Sequence, residues 1–164
     1  MIKQFVPGEV CLKCQGCCRF KEAESVWSPC LLDEEIQDLL DKKIPAAAVS
    51  PQRRLLLVPH PKGEGFLCPF LSFADNKCKI YDFRPFECQL YPFLLNLRHG
   101  KVFLTADLNC PYVKEKLGSQ ELSEYLEYLN TFLNSPQQIA LLKDNPHLIQ
   151  AYEEVLDLIE LDIR

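Results

Sequence analysis

Apolar residues recur at helical spacing in a short segment of the first third of the chain. Ile36, Leu39 and Leu40 form one stripe between Asp33 and Lys43. Acidic residues stand at the start of this segment and basic residues at its end, which complements a helix dipole, and Asp33 can cap the first turn. The pattern predicts a helix over residues 33–43.

Helical spacing returns after residue 119 and continues almost to the end of the chain. Ser119 can cap one helix, and Ser135-Pro136 and Asn145-Pro146 each suit a cap followed by a first helical residue. The apolar side of the last segment consists of Leu148, Ile149, Tyr152, Val155, Leu156 and Ile159. We therefore predict helices through residues 119–164, the last one packing on the core and exposing an acidic face.

Short apolar runs typical of strands occur at residues 54–58, 93–97 and 102–106. His99-Gly100-Lys101 can turn the second run into the third, which predicts a hairpin. Pro85 suits the first position of a short helix that would carry Cys88.

These elements predict an α+β fold in one domain, residues 1–164, a length that suits a single domain. Residues 1–112 hold all the cysteines and are expected to form a metal-binding region of loops, short helices and the small hairpin. Residues 119–164 would form a C-terminal helical segment packed on it.

Composition and charge exclude several classes of protein. Apolar residues make up 48% of the chain, so it can bury a core without disulfides or metals to compensate for small size. The formal net charge is −5 with no basic stripe, which argues against nucleic acid or an anionic membrane as a partner. The N-terminus is too polar for a signal peptide, and no apolar run approaches the roughly 20 residues of a membrane span. We expect a cytoplasmic protein with reduced thiols.

The candidate chemistry lies in the 9 cysteines, an odd number that prevents complete disulfide pairing within one chain. The first group is Cys11-x-x-Cys14-x-x-Cys17-Cys18. Two-residue gaps let a loop curl so that successive sulfurs face one centre, as in ferredoxin-type cluster loops and in half of many zinc sites. Adjacent side chains usually diverge, so we expect Cys18 to face a second centre or another corner of a larger cluster.

The second group of cysteines is more dispersed and comprises Cys68, Cys78, Cys88 and Cys110. Four thiolates on a zinc ion or on an oxidised four-iron core leave about two net negative charges, which burial requires cations or N–H groups to compensate. Basic residues stand near the cysteines although the chain is acidic: Lys13, Arg19, Lys77, Lys79 and Arg84. Arg84 is the strongest candidate for compensating the thiolate charge, because the fixed fork of N–H donors on its guanidinium can bridge sulfurs. The alternative is that Arg84 forms a surface ion pair with Asp82 or Glu87.

The segments CLKCQGCC, CPF and CKIYDFRPFECQLYPF resemble the CxxCxxCC cysteine-cluster family, the YkgJ-type proteins described as zinc- or iron-chelating domains. The resemblance covers roughly residues 8–112. It implies a set of metal ligands made of Cys11, Cys14, Cys17, Cys18, Cys68, Cys78, Cys88 and Cys110. Arg84 and Tyr81 are the candidates for contacting the bound cofactor from outside its ligands. Cys30 lies outside the pattern, and we interpret it as a small buried residue.

The resemblance also extends to the bacterial flagellin lysine methylases, which are similar over the cysteine domain but longer. This chain lacks the glycine-rich strand-to-helix fingerprint of a methyl-donor fold, so an enzyme of that kind is implied by kinship alone. No other catalytic set is evident, because His60, His99 and His147 each stand in a context typical of surface histidines. Whether the protein is an enzyme stays open.

Both zinc and iron–sulfur centres suit thiolate ligands. The close cysteine run favours a four-iron cluster (4Fe-4S), because a cubane presents several irons to one loop, whereas all-cysteine zinc sites more typically use two separated pairs. We therefore predict an iron–sulfur protein with a redox or electron-transfer function and a protein redox partner. The alternative is a zinc-binding structural or metal-delivery module.

Overall fold

The computed structural model describes residues 1–14 and 16–163, and the chain divides into two compact units. The first, here called the cysteine unit, is residues 7–89. The second, here called the hairpin unit, combines residues 1–6 with the chain from Leu90 onward. Cys110 therefore belongs to the hairpin unit, whereas every other cysteine belongs to the cysteine unit. The single domain over residues 1–164 stays a prediction.

The cysteine unit is built from short elements. They are α1 (Gly8–Lys13), β1 (Arg19–Phe20), α2 (Asp33–Asp41), β2 (Val58–Pro59), β3 (Phe66–Leu67) and α3 (Phe86–Leu90), with 3-10 turns at Ala46–Ala48 and Tyr81–Phe83. The strands form an antiparallel sheet in the order β1-β3-β2. Its core is apolar and includes Leu31, Leu39, Leu55, Leu67 and Ile80, all buried.

The predicted helix at residues 33–43 is confirmed as α2, but its cap is Leu32 rather than Asp33. The Glu35 carboxylate accepts the Leu32 N–H at 2.9 Å, and its other oxygen accepts the Phe86 N–H at 2.6 Å. One side chain thus closes the start of α2 and also satisfies the first N–H of α3. The short helix carrying Cys88 is confirmed as α3.

The predicted strand at residues 54–58 is wrong for most of its length. Only Val58 enters a strand, whereas Arg54 and Leu55 form isolated bridges with Cys30 and Val49. Leu55 is buried in the core, whereas Leu56 and Val58 are exposed, and the bridges at Arg54 and Leu55 do not extend into a ladder.

The hairpin unit contains a three-stranded antiparallel sheet in the order β4-β5-β6. Its strands are β4 (Phe93–Arg98), β5 (Lys101–Ala106) and β6 (Leu156–Leu161), and its helices are α4 (Pro111–Lys116), α5 (Gln120–Leu133) and α6 (Pro136–Asp144). The predicted hairpin is confirmed: His99 and Gly100 have φ of 50° and 75°, the positive values that suit a tight two-residue turn. Ser119 and Ser135 cap α5 and α6 as predicted.

The predicted last helix is wrong. Residues Pro146–Leu148 form one 3-10 turn, and the chain then extends to form β6 beside β5. The buried Asn96 amide accepts the Tyr152 N–H at 2.8 Å and donates to the Tyr152 carbonyl at 3.2 Å, so it holds this segment extended. Helical spacing of apolar residues does not reveal such a long-range partner. The α+β class is nevertheless confirmed.

Two carboxyl groups in the cysteine unit make its stability depend on pH. Burial raises the pKa of Glu35 and of Glu87 from 4.5 to about 7 in each case. The folded protein then binds protons that the unfolded chain has already released, so the free energy of unfolding falls as pH rises from about 4.5 to about 7.

We expect Glu35→Gln to flatten this slope, with a change on the order of 1 to 3 kcal/mol for one half-buried carboxyl group. Urea denaturation of the metal-free protein across this pH range, in the presence of a chelator, measures it. The exposed neighbour offers a matched control, Glu34→Gln, which should leave the slope intact. An unchanged slope in Glu35→Gln would contradict the assignment.

Candidate metal centre

A strand pair joins the first cysteine group to the second. Strand β1 begins directly after Cys18, and β3 ends directly before Cys68. Because Arg19 pairs with Leu67, the two cysteines lie side by side, and the Cys68 N–H donates to the Cys18 carbonyl at 3.0 Å. The short sheet therefore determines which cysteines of the two groups are neighbours.

Asn76 provides a second connection, two residues before Cys78. Its Nδ2 donates to the carbonyls of Leu12 and Cys14 at 2.9 and 2.6 Å, and its Oδ1 accepts from the Arg19 guanidinium at 2.9 Å. Asn76 has φ of 61°, a left-handed conformation that asparagine tolerates better than most residues. One side chain thus holds both ends of the first cysteine run against the turn that leads to Cys78.

The sulfurs of Cys17 and Cys18 are 4.0 Å apart. Two sulfurs on one tetrahedral zinc ion, each about 2.3 Å from it, are separated by about 3.8 Å. The divergence expected for these adjacent side chains is therefore not observed. The nearby Cys68 also raises the pKa of Cys18, so this thiol interacts with both cysteine groups.

Cys78 and Cys88 complete this group of interacting thiols, here called the thiol cluster: Cys17, Cys18, Cys68, Cys78 and Cys88. Burial and the nearby Cys18 and Cys78 raise the pKa of Cys88 well above its usual range. The hydrogen bond with Cys17 lowers the pKa of Cys18. The interaction with Cys68 and burial outweigh that effect and raise the pKa to about 12. Burial and mutual repulsion therefore disfavour the thiolate forms of Cys17, Cys18, Cys78 and Cys88 unless a cation compensates their charge.

The thiol cluster has an apolar surround. Cys18 and Cys78 pack against the core that contains Phe70, Leu71 and Ile80. Thiolates are soft ligands that suit zinc, copper(I) and iron–sulfur centres rather than calcium or magnesium, and a dry apolar shell strengthens such a site. The residues present therefore fit the class of metal predicted from the sequence.

The remaining predicted ligands lie outside the thiol cluster. Cys14 is held beside it through its carbonyl bond to Asn76, Cys11 is exposed on α1, and Cys110 caps α4 in the hairpin unit. Within residues 1–14 and 16–163, no three His, Cys, Asp or Glu side chains already stand at metal-binding spacing. The full set of eight ligands therefore stays a prediction.

Arg84 is not a surface residue. It is 9% exposed, and its guanidinium lies over the Tyr81 ring at 4.0 Å from the centroid. The predicted alternative partner Glu87 instead accepts the Cys30 N–H at 2.7 Å. Cys30 is buried, as predicted, with 1% exposure.

The roles of Asn76, Glu35 and Glu87 in positioning the segments that carry the thiols were not predicted from the sequence, where Glu87 was considered only as an ion-pair partner of Arg84. For Asn76 a signal exists, because Asp75-Asn76 between two strand-like runs is typical of a turn with positive φ. The bond of Glu35 to Leu32 is local, but the bonds of Glu35 to Phe86 and of Glu87 to Cys30 join groups more than 50 residues apart, for which the sequence has no signal.

Residues 10–117, about two-thirds of the chain, match a family model described as "CxxCxxCC: Putative zinc- or iron-chelating domain". The chain belongs to this family. The matched range includes the thiol cluster and also Cys110. An uncharacterised protein of Methanocaldococcus jannaschii is 45% identical over 47 residues, which are 29% of this chain and 26% of that protein.

The chain thus spans about a quarter of the length of that relative, as aligned. No solved structure matches the chain. Among the described residues, none of the helices combines the length and apolar character needed to cross a membrane.

We predict that Asn76→Asp weakens metal binding by about 10-fold or more, because a carboxylate cannot donate to the two carbonyls of the cysteine run. Titration of the metal-free protein with zinc ions in competition with a chelator measures the change. Asn130→Asp in the hairpin unit is the control, since its Oδ1 accepts a hydrogen bond from Asn134 and a carboxylate can do the same. If Asn76→Asp and the parent protein bind zinc with equal affinity, the hydrogen bonds from Asn76 to the first cysteine run do not position the metal ligands.

Proposed function

We propose that the cysteine unit holds an iron–sulfur cluster, of the four-iron type, and exchanges electrons with a protein partner. The observation that supports this proposal is the electrostatic interaction among Cys17, Cys18, Cys68, Cys78 and Cys88, which come from separate segments of one unit. A single zinc ion takes four ligands, and this cluster already exceeds that number before Cys14 and Cys11 are added.

Exposure at the edge of the thiol cluster supports an electron-transfer role. Cys17 is exposed, whereas Cys68 is buried, so the site extends from the core to the surface. An inorganic centre there can exchange electrons with a docked protein, and the apolar interior behind it limits access of water. A function that depends on reduced thiols supports a cytoplasmic location.

When bound, the cluster supplies one-electron chemistry; the chain supplies the ligands and their environment. The cysteine thiols lose their protons as they bind, and the protons leave to solvent. The strand pair and Asn76 orient the ligating segments, and the core residues exclude water. Metal binding should therefore order the cysteine unit and raise its stability.

A zinc site is the second candidate for the function of the cysteine unit, and the distance between the sulfurs of Cys17 and Cys18 favours it. Cys17 and Cys18 are 4.0 Å apart, which suits two ligands on one ion better than two ligands on different irons of a cubane. In this case the function would be structural or metal delivery rather than redox.

Anaerobic purification followed by iron, sulfide and zinc analysis tests both candidates. We expect iron and acid-labile sulfide in equal amounts, with a visible band that dithionite bleaches. A colourless protein with stoichiometric zinc would support the second candidate. A protein that contains no iron, no acid-labile sulfide and no zinc would contradict both the iron–sulfur and the zinc proposal.

Single cysteine variants test which residues are ligands. Cys18→Ala and Cys88→Ala should lose most of the metal, because each removes a thiol at the centre of the cluster. Cys30→Ala is the matched control and should retain it, since Cys30 is buried but predicted not to be a ligand. Cys110→Ala decides whether the implied eighth ligand takes part. Metal loss in Cys30→Ala, or retention in Cys88→Ala, would contradict the ligand assignment.

A further inference from the structure

Arg84 lies between two of the segments that carry the thiols. The 3-10 turn Tyr81–Phe83 follows Cys78 and precedes Arg84, and α3 with Cys88 comes directly afterwards. The Arg84 carbonyl accepts a hydrogen bond from the Gln89 side chain at 2.9 Å, and the guanidinium is stacked on Tyr81. The side chain is thus fixed on both sides and is 9% exposed.

Two donors of this buried guanidinium have no acceptor. Nε and Nη2 are inaccessible to solvent, and neither has a hydrogen-bond partner among the residues that the structure describes. These two groups lie on the same edge of the planar guanidinium, the edge that grips two acceptor atoms at once. A buried charged donor without an acceptor destabilises a fold, so this edge indicates a partner that joins in another state of the protein.

The sulfurs of the thiol cluster are the acceptors that metal loading would make available near this edge, because Cys78 and Cys88 stand on either side of Arg84 in the chain. A soluble anion is excluded as long as the fold stays closed, because both nitrogens are shielded from solvent. The Glu87 carboxylate is engaged by the Cys30 N–H. Burial raises the pKa of Cys78, and the positive charge of Arg84 opposes that shift, so the guanidinium acts electrostatically on this thiol. A thiol is a weak acceptor, whereas a thiolate on a metal is a charged one.

We propose that the Nε–Nη2 edge of Arg84 is an internal anion-binding position that is filled only when the centre is loaded. Metal binding converts Cys78 and its neighbours to thiolates, and these accept hydrogen bonds from Arg84. The same residue destabilises the metal-free fold and stabilises the loaded one, so it links metal occupancy to folding. This inference rests on the proposed metal-binding function.

A thermodynamic cycle separates this role from a structural one. The parent protein and Arg84→Met are each melted without metal, in the presence of a chelator, and after loading with zinc ions alone. Zinc serves as the probe because it also generates thiolates from cysteine, whichever metal the protein carries in the cell. We expect zinc to raise the melting temperature of the parent more than that of Arg84→Met, and to bind the variant at least about 10-fold more weakly.

Metal-free Arg84→Met should be at least as stable as the metal-free parent, because methionine leaves no charged donor unsatisfied. Arg84→Lys keeps the positive charge but loses the paired N–H donors. Its affinity for zinc should therefore lie between that of the parent protein and that of Arg84→Met. If Arg84→Met fails to fold, Arg84→Lys is compared with the parent protein in its place. The matched control is Arg53→Met, since Arg53 lies on the surface of the same unit and pairs with Asp33. Its zinc affinity should equal that of the parent.

The outcomes are distinct. Failure of the parent protein to bind zinc would count against the metal-binding function itself. Normal zinc binding with equal stabilisation of the parent and Arg84→Met would overturn the link, because a merely structural arginine lowers stability equally in both states.

Discussion

Repulsion among crowded thiols is the constraint on which this structure depends. Cys17, Cys18, Cys68, Cys78 and Cys88 interact within one unit. Burial together with mutual proximity disfavours the charged forms of Cys17, Cys18, Cys78 and Cys88. An apolar core packs against the group and offers no compensating charge of its own. The site therefore requires a cation that replaces protons, and the membership of the chain in a family of zinc- or iron-chelating domains agrees with this requirement.

The polypeptide that holds the thiols is assembled mainly from polar contacts to backbone groups. Asn76 joins the first cysteine run to the turn before Cys78, and the β1–β3 pair aligns Cys18 with Cys68. Glu35 and Glu87 satisfy the N–H groups of Phe86 and Cys30, which fixes the start of α3 and the segment facing it. Short elements suffice in this unit because side chains of Asn76, Glu35 and Glu87 tie several segments together in addition to the short strand pairs.

The sequence predicts secondary structure correctly where residues within a few positions determine it. It misleads where contacts with residues distant along the chain determine the conformation. The hairpin, α2 and the two serine caps follow from turn chemistry, stripes and capping residues within a few positions. Strand β6 has apolar residues at helical spacing, yet β5 and the Asn96 amide select an extended conformation. For the site, the cysteine spacing indicates metal chemistry, but only the fold shows which thiols of the cysteine unit interact and that Arg84 is buried.

Cys17 lies at the exposed rim of the centre, in van der Waals reach of the Cys18 sulfur. Peroxide or dissolved oxygen therefore meets this sulfur before any other member of the group. Because the two sulfurs are neighbours, oxidation of the first has an immediate reaction partner in the second. A disulfide between Cys17 and Cys18 would remove two thiols from the cluster, so oxidation at this exposed edge would compete directly with metal binding.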